Sequence, residues 1–170
     1  MNISMYQASV PVFIRMLNNL DHILKKGEEF ARDKNIDPEI LLNSRLAPDM
    51  FPLSRQIQIA TDIVRRGMAR LIEDDVTSVP DDEKTFAEFH DRIASTVAYL
   101  SSLQPEQVDG TEDKKITVKI RDNTVEFTGI RMLLDFSIPN LFFHITTAYN
   151  LLRHNGVELG KADFLGKLQG

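Results

Sequence analysis

Apolar residues recur at helical spacing in four long stretches of the chain, and this pattern predicts four helices. The first begins near Ser4, because Ser4 and Gln7 have the spacing of a capping box, and it ends in the charged run that reaches Lys34. The second covers residues 53–73, with an apolar stripe along one face. Both are long enough to cross a single domain, so their apolar faces are expected to meet in one core.

The third and fourth predicted helices carry equally clear boundary signals. The third opens at Thr85, which has Glu88 three residues later, and continues to about residue 100. The fourth covers residues 138–156, with Pro139 at its start and Gly156 just past its end. It places one histidine, His144, beside its apolar stripe, so this helix is predicted to form the wall of any functional site.

Between the third and fourth helices the apolar period changes from helical spacing to strict alternation. Residues 115–120 and 124–128 alternate in this way around a polar turn at residues 121–123, which predicts a β-hairpin. Two strands alone are only marginally stable, so the hairpin must pack against the helices. Residues 130–137 fit either a loop or the start of the next helix.

Together the elements predict an all-α fold. The expected architecture is an antiparallel four-helix bundle with a small β-hairpin inserted before the last helix, and residues 1–170 are expected to form a single domain.

Several residues depart from the bundle pattern. Gly67, inside the second helix, predicts a close approach by another backbone or by a ligand, and a tight helix crossing is the simpler interpretation. Asp21 falls on the apolar face of the first helix and therefore requires a partner or access to water. Residues 73–84 are acidic and predict a solvated crossover loop, in which Asp81 and Asp82 are interpreted as surface charges.

Composition narrows the functional classes. The chain has 170 residues, a formal net charge of −5 and a sequence pI of about 5.4, and its basic residues alternate with acids, so nucleic acid is not an expected partner. It has no cysteine, which removes disulfides, thiolate metal sites and cysteine nucleophiles. No apolar run approaches the roughly 20 residues that span a bilayer, and no signal peptide is recognisable, so we expect a cytoplasmic protein without membrane contact.

His144 is the main candidate for chemistry. A zinc or nickel site in a bundle needs about three inward-facing ligands, and no two of the four histidines have the four-residue spacing that lets one helix supply a pair. A site of His144 with Asp21 or His90 is one interpretation, and a hydrogen-bonded core histidine is the other. The chain has neither a phosphate-binding glycine loop nor a nucleophile elbow, so no catalytic residue is predicted.

Three segments resemble an uncharacterised bacterial family of domains of unknown function in the DinB/YfiT-like superfamily. They are RLAPDMFPLSRQIQIATD, TFAEFHDRI and IPNLFFHITTAYNLLRHNGVELGKADFLG. The resemblance implies an antiparallel four-helix bundle with a long crossover after the second helix, commonly paired as a dimer. Many such relatives hold a divalent metal with one histidine from the second helix and a His-x-x-x-His pair from the last, and some act as thiol-dependent transferases or hydrolases.

The same resemblance assigns the metal positions of those relatives to particular residues of this chain. Gln56 takes the place of the histidine on the second helix. The pair on the last helix falls either on Asn140 and His144 or on His144 and Ala148. Only His144 has a side chain of the expected ligand type.

Two hypotheses of different classes follow. The first is a non-catalytic or small-ligand-binding bundle that forms a homodimer. Its metal pocket has become a polar cavity around Gln56, Asn140 and His144, and no cofactor is certain. The second is a divalent-metal-dependent transferase or hydrolase. There His144 binds Zn²⁺ or Ni²⁺, and Asp21, His90 or a partner subunit completes the ligand set.

Overall fold

The computed structural model describes residues 3–74, 79–120 and 122–167. Its helices are α1 (Met5–Asp33), α2 (Pro38–Leu42), α3 (Leu53–Ile72), α4 (Phe86–Ser102), α5 (Pro105–Val108), α6 (Gly129–Arg131), α7 (Ile138–His154) and α8 (Lys161–Leu165). Its strands are β1 (Lys115–Ile120) and β2 (Asn123–Thr128). A π-helical segment, Met132–Ser137, joins α6 to α7.

The two predicted capping boxes begin the helices that they were expected to begin. At α1 the Gln7 amide donates to Ser4 Oγ at 3.3 Å, and the Ser4 amide donates to Gln7 Oε1 at 3.2 Å. At α4 the same exchange joins Thr85 and Glu88. Each box satisfies amides that have no partner within the helix, so the boundary is set locally.

The C-terminus of α7 is also determined by local sequence. Gly156 has a φ of +97°, a conformation that a residue without Cβ adopts without strain. This allows the Val157 amide to reach back to the Leu152 carbonyl at 3.0 Å and the Gly156 amide to reach the Arg153 carbonyl. The pattern is a Schellman motif, which ends the helix where the sequence predicted.

The four long helices of the described ranges form a closed ring, in which α1 packs against α4 and α7, and α3 packs against α4 and α7. Gln56, near the beginning of α3, contacts His144 within α7, whereas Gly67, near the end of α3, lies against Ser137, just before α7. These two helices are therefore antiparallel. α3 and α4 run parallel, because Thr61 meets Arg92 and the later Arg65 meets Tyr99. The predicted four-helix bundle with its long crossover is therefore confirmed.

The core fills the centre of this ring. Fully buried apolar side chains come from all four long helices and include Phe13, Leu17, Ile57, Phe89 and Ile145. Burying each such side chain contributes on the order of 1.5–3 kcal/mol relative to leaving it in water. In the described ranges no helix combines the length and the apolar character that crossing a membrane requires.

The hairpin lies before the last long helix, as predicted. β1 and β2 are antiparallel, with Lys115 opposite Thr128 and Ile120 opposite Asn123, so β2 begins one residue earlier than expected. Arg121, in the predicted turn, lies outside the described residues. Ile116 and Val118 are buried, and the Phe127 ring lies 5.9 Å from that of Phe136, so the hairpin packs on the helices.

Residues 130–137, which fitted either a loop or a helix, are helical. Within them the chain follows a π-helix, in which the Ile138 amide bonds the Leu133 carbonyl five residues earlier. Single π-turns inserted in α-helices are uncommon and are frequent at functional sites. The segment faces α3, where a Cβ placed on Gly67 would lie 3.0 Å from Ser137 Oγ. The predicted close approach at Gly67 is therefore a helix contact.

Arg92 holds residues 79–84 of the crossover loop to the bundle. The Arg92 side chain is almost fully buried, and its guanidinium contacts Glu83 at 2.6 Å, Asp62 at 2.8 Å and Asp81 at 3.0 Å. Asp81 also pairs with Arg55. Asp81 and Asp82 are exposed, as predicted, but Asp81 is not a free surface charge, because its carboxylate joins the loop to both α3 and α4.

Candidate functional site

A hydrogen-bonded polar pair lies between α3 and α7. Gln56 is in the first turn of α3, and His144 is in the second turn of α7. Gln56 Oε1 lies 2.7 Å from His144 Nδ1. The residues are only 2% and 8% exposed, so this contact takes the place of water for both groups.

The partners of Gln56 determine which ring nitrogen of His144 carries the proton. Gln56 Nε2 donates to the Phe51 carbonyl at 3.0 Å, which turns Gln56 Oε1 toward the imidazole. An amide oxygen only accepts hydrogen bonds, so Nδ1 must be the protonated nitrogen. The lone pair of the neutral ring therefore lies on Nε2.

The surroundings also keep the imidazole neutral. Burial lowers the pKa of His144 to about 4, and the nearby positive charge of Arg55 acts in the same direction. Both causes disfavour the cation, because a buried charge loses water and a like charge repels it. At neutral pH the ring is thus an acceptor at Nε2 and a donor at Nδ1.

Two exposed aromatic residues adjoin the polar pair, Phe143 through its ring and Phe51 through its backbone carbonyl. Phe143 packs edge-on against the His144 ring, with centroids 5.2 Å apart, and is 57% exposed. Phe51 is 54% exposed, and the Arg55 guanidinium lies 5.9 Å from its ring centroid. Exposed large apolar side chains beside a buried polar group are typical of a surface that another molecule contacts.

Of the three predicted ligand-binding residues, the structure brings Gln56 and His144 together but directs Asn140 elsewhere. Asn140 Nδ2 donates to the Phe136 carbonyl at 2.7 Å, one turn back on its own helix. Ala148, the other position implied on the last helix, is buried in the apolar core. The polar contact therefore has two members.

Asp21 and His90, the other residues considered with His144, meet each other in a different seam. Asp21 Oδ1 lies 2.6 Å from His90 Nδ1, and Asp21 Oδ2 lies 2.7 Å from Lys25 Nζ. This pair lies between α1 and α4, across the bundle from α3 and α7. Asp21 thus has the partner that its position on the apolar face of α1 required, and neither Asp21 nor His90 contacts His144.

The residues at the implied metal position do not fit Zn²⁺ or Ni²⁺. Such ions prefer three or more imidazole, thiolate or carboxylate ligands, and this seam offers one imidazole and an amide whose oxygen and nitrogen are both engaged. Across the described ranges no group of three or more His, Cys, Asp or Glu side chains is placed to hold a metal ion. The contact is chemically a histidine–amide pair.

Sequence reasoning missed the buried ion pairs of Arg92 with Asp62, Asp81 and Glu83. A signal for Arg92 exists, because it lies three residues after Phe89 on the apolar face of α4, the helix that follows the acidic loop. A cation at a buried position next to several carboxylates predicts an internal ion pair.

Comparisons with known proteins agree with this architecture. A family model described as a domain of unknown function (DUF1993) matches residues 5–165. The crystal structure of a DinB family member protein from Shewanella denitrificans is 42% identical in sequence and superposes with a TM-score of 0.86, covering 96% of this chain and 92% of that chain. No curated protein matches this chain. Both similarities extend over the bundle and the hairpin together.

Proposed function

This chain belongs to the DUF1993 family of DinB-like domains of unknown function, and from that premise we propose that it is a non-catalytic bundle that binds a small ligand beside His144. The observation that carries the proposal is the hydrogen bond between Gln56 and His144. It uses Nδ1 of the ring and the oxygen of the amide, and thereby leaves a neutral imidazole with one acceptor atom, Nε2.

The chemistry of the surroundings supports a ligand with both polar and apolar parts. Nε2 accepts a hydrogen bond, so the ligand should present an O–H or N–H donor. The exposed Phe143 ring packs against the imidazole, which favours an apolar body next to that donor. Phenol is the simplest probe that combines these two features.

The metal question is decided by elemental analysis of protein purified without a histidine tag. We expect substoichiometric zinc and nickel, because one imidazole and engaged amides bind such ions weakly. The ¹⁵N spectrum of the His144 ring should show an unprotonated Nε2 at pH 7 and should change when phenol is added. About one ion per chain would overturn the proposal, and so would a ring unaffected by phenol at saturating concentration.

The matched variants are His144→Ala and His154→Ala. His154 lies at the exposed end of α7, so its replacement should leave phenol binding unchanged. His144→Ala should abolish phenol binding at this site. If His144→Ala lowered stability alone and phenol still bound, His144 would be a plain core residue and the proposed site would be wrong.

One observation favours a second function, a divalent-metal-dependent transferase or hydrolase. A metal-binding histidine usually donates its other ring N–H to an oxygen, and His144 Nδ1 donates to Gln56 Oε1 in this way. Under this alternative, Nε2 would bind Zn²⁺ or Ni²⁺, and a partner subunit would supply further ligands. The elemental analysis separates the two functions, because only this alternative requires one ion per chain.

We also propose that the protein forms a homodimer. Support comes from the exposed apolar side chains Phe51, just before α3, and Phe143, on α7. Light scattering at micromolar concentration should give twice the mass of one chain, and Phe143→Glu should shift the protein toward monomer. Ile40→Glu, which changes another exposed apolar residue, serves as the control. A monomeric parent protein would contradict the dimer.

A further inference from the structure

A groove with a volume of about 190 Å³ opens between α3, β1 and the π-helical segment. Its walls come from elements that are far apart in sequence, so no single sequence motif predicts the groove. Its cations are Arg55, Arg66, Arg70 and Lys119, and Asp62 is the single acidic residue of its lining. The apolar part of the lining comes from Ile59, Ile63, Val118, Met132 and Phe136.

The charge of this groove is opposite to that of the whole chain. Four cations and one carboxylate line it in a protein whose formal net charge is −5. The carboxylate does little to neutralise the groove, because Asp62 Oδ1 is held by Arg92 at 2.8 Å and its other oxygen lies 4.0 Å from Arg66. A recessed basic site raises the local concentration of anions.

Two of the four cations, Arg70 and Lys119, have no acidic partner within the described ranges, and a third, Arg66, has only a long ion pair. Arg55 is paired with Asp81 of the crossover loop. The groove thus presents Arg66, Arg70 and Lys119 toward a common space.

Arg66 and Arg70 lie one helical turn apart on α3 and repel each other. Burial lowers the pKa of Arg70, and the charge of Arg66 lowers it further. Like charges at this spacing destabilise a helix, and an anion bound between them would remove that repulsion. A guanidinium group can bind both oxygens of a carboxylate through parallel N–H···O hydrogen bonds, so either arginine suits this anion.

We propose that this groove binds a small carboxylic acid with an apolar body, at a site additional to that beside His144. The carboxylate lies between Arg66 and Arg70 with Lys119 nearby, and the apolar body contacts Ile63, Met132 and neighbouring apolar residues of the lining. The volume limits the ligand to a small molecule, since sites for drug-sized ligands usually span about 300–1,000 Å³. Neither a bare anion nor a neutral apolar molecule uses both halves of the lining.

The test is a calorimetric titration of the full chain with benzoate, compared with benzamide, acetate and inorganic phosphate. Benzamide keeps the ring without the charge, acetate keeps the carboxylate without the ring, and phosphate is an anion without an apolar part. Benzoate should bind saturably and at least about tenfold more tightly than each of the three. Comparable binding of benzamide or phosphate would overturn the proposal, as would the absence of saturable benzoate binding.

Variants and a local probe place the ligand. Arg66→Gln and Arg70→Gln should each weaken benzoate binding at least about tenfold, whereas Arg65→Gln, which stacks on Tyr99 outside the groove, should not. The ¹³C-methyl signal of Met132 should shift with benzoate, and that of the core residue Met68 should not. Equal affinity in Arg70→Gln, or an unmoved Met132 signal, would contradict the site.

The two proposed sites can be tested independently of each other. His144→Ala should bind benzoate like the parent protein, because His144 does not line the groove. Loss of benzoate binding in this variant, with the fold intact by circular dichroism, would show that the ligand lies beside His144 and would overturn the groove proposal. Phenol bound beside His144 without benzoate binding would overturn the groove alone.

Discussion

Gln56 Oε1 and His144 Nδ1, 88 residues apart in the chain, lie 2.7 Å from each other in the buried seam between α3 and α7. The contact orients the imidazole and fixes its tautomer. It also makes each residue dependent on the other, because a buried polar atom that loses its partner has no access to water.

Removing both members of this pair should therefore cost less than the sum of the two single losses. Gln56→Leu and His144→Phe should each lower the free energy of unfolding by about 1–3 kcal/mol. The double variant should lose less than the sum, with a coupling of about 0.5–3 kcal/mol measured by urea unfolding at pH 7. Asn140→Ala, which removes a neighbouring amide outside the pair, should show no coupling with His144→Phe. Additive losses would mean that the bond contributes nothing.

The stability of the protein should fall in mild acid because of His144. Its pKa is lowered to about 4 in the folded state, whereas an unfolded histidine titrates near about 6.5. Below pH 6.5 the unfolded state therefore binds a proton that the folded state does not. Stability is unaffected above that pH and declines as the pH falls toward 4, with a slope of up to about 1.4 kcal/mol per pH unit.

Urea unfolding between pH 7.5 and pH 4.5 tests this dependence. The His144→Phe variant should show a flatter profile over the same range, because it lacks the group. Asp163 does not interfere, since its own pKa is lowered to about 2, mainly by the Gly160 amide, and it titrates below this window. Parallel profiles for parent and variant would show that His144 is protonated normally in the folded protein.

Replacing Arg92 should be among the most destabilising single changes in the protein. Arg92→Met leaves Asp62 and the 9%-exposed Glu83 side chain without their shared cation, and breaking a buried pair typically costs about 3–5 kcal/mol. Arg32→Met provides the control, because its pair with Asp33 is exposed and should contribute about 0–1 kcal/mol. Thermal unfolding measured for both variants checks the difference. Equal losses would contradict the role assigned to Arg92.

The effect of a methyl group at Gly67 should depend on the residue at position 137. Alanine favours a helix over glycine by up to about 1 kcal/mol, but the new Cβ would lie 3.0 Å from Ser137 Oγ. Gly67→Ala alone should therefore gain little or lose stability. In a Ser137→Ala background the same change should stabilise the protein, because the nearest remaining atom is Ser137 Cβ at 3.8 Å.

Urea unfolding of the two single variants and the double variant measures this dependence. Gly129→Ala is the contrasting case, since its Cβ would meet the backbone carbonyl oxygen of Thr111 at 2.0 Å. That change should be strongly destabilising in any background. A Gly67→Ala effect that is the same with serine or alanine at position 137 would show that the contact is not limiting.

The features that could be predicted from the sequence depend on neighbouring residues. The starts of α1 and α4 follow from Ser4 and Thr85, each with its capping partner three residues later, and the end of α7 follows from Gly156. The hairpin follows from alternation within 14 residues of chain, Lys115–Thr128. These signals act over one or two turns, so they need no knowledge of the tertiary fold.

The features that could not be predicted depend on contacts between distant segments. The meeting of Gln56 with His144 followed from the family resemblance, since no local spacing relates two residues on different helices. Asn140 was placed at the same site, but its amide bonds the nearer Phe136 carbonyl instead. The burial of Arg92 and the cationic groove depend on a crossover loop and a strand that approach α3 only in the folded chain.

The π-helical segment determines which side chains face α3. Met132 and Ser137 both line the groove, although they are five residues apart. A π-turn stacks residues at that separation, whereas an ordinary α-helix would point them in different directions. Shortening Met132–Ser137 by one residue would let the helix close into a regular α-helix and would turn one of the two side chains away. Inserting or deleting a single residue in this segment would thus change which side chains line the groove.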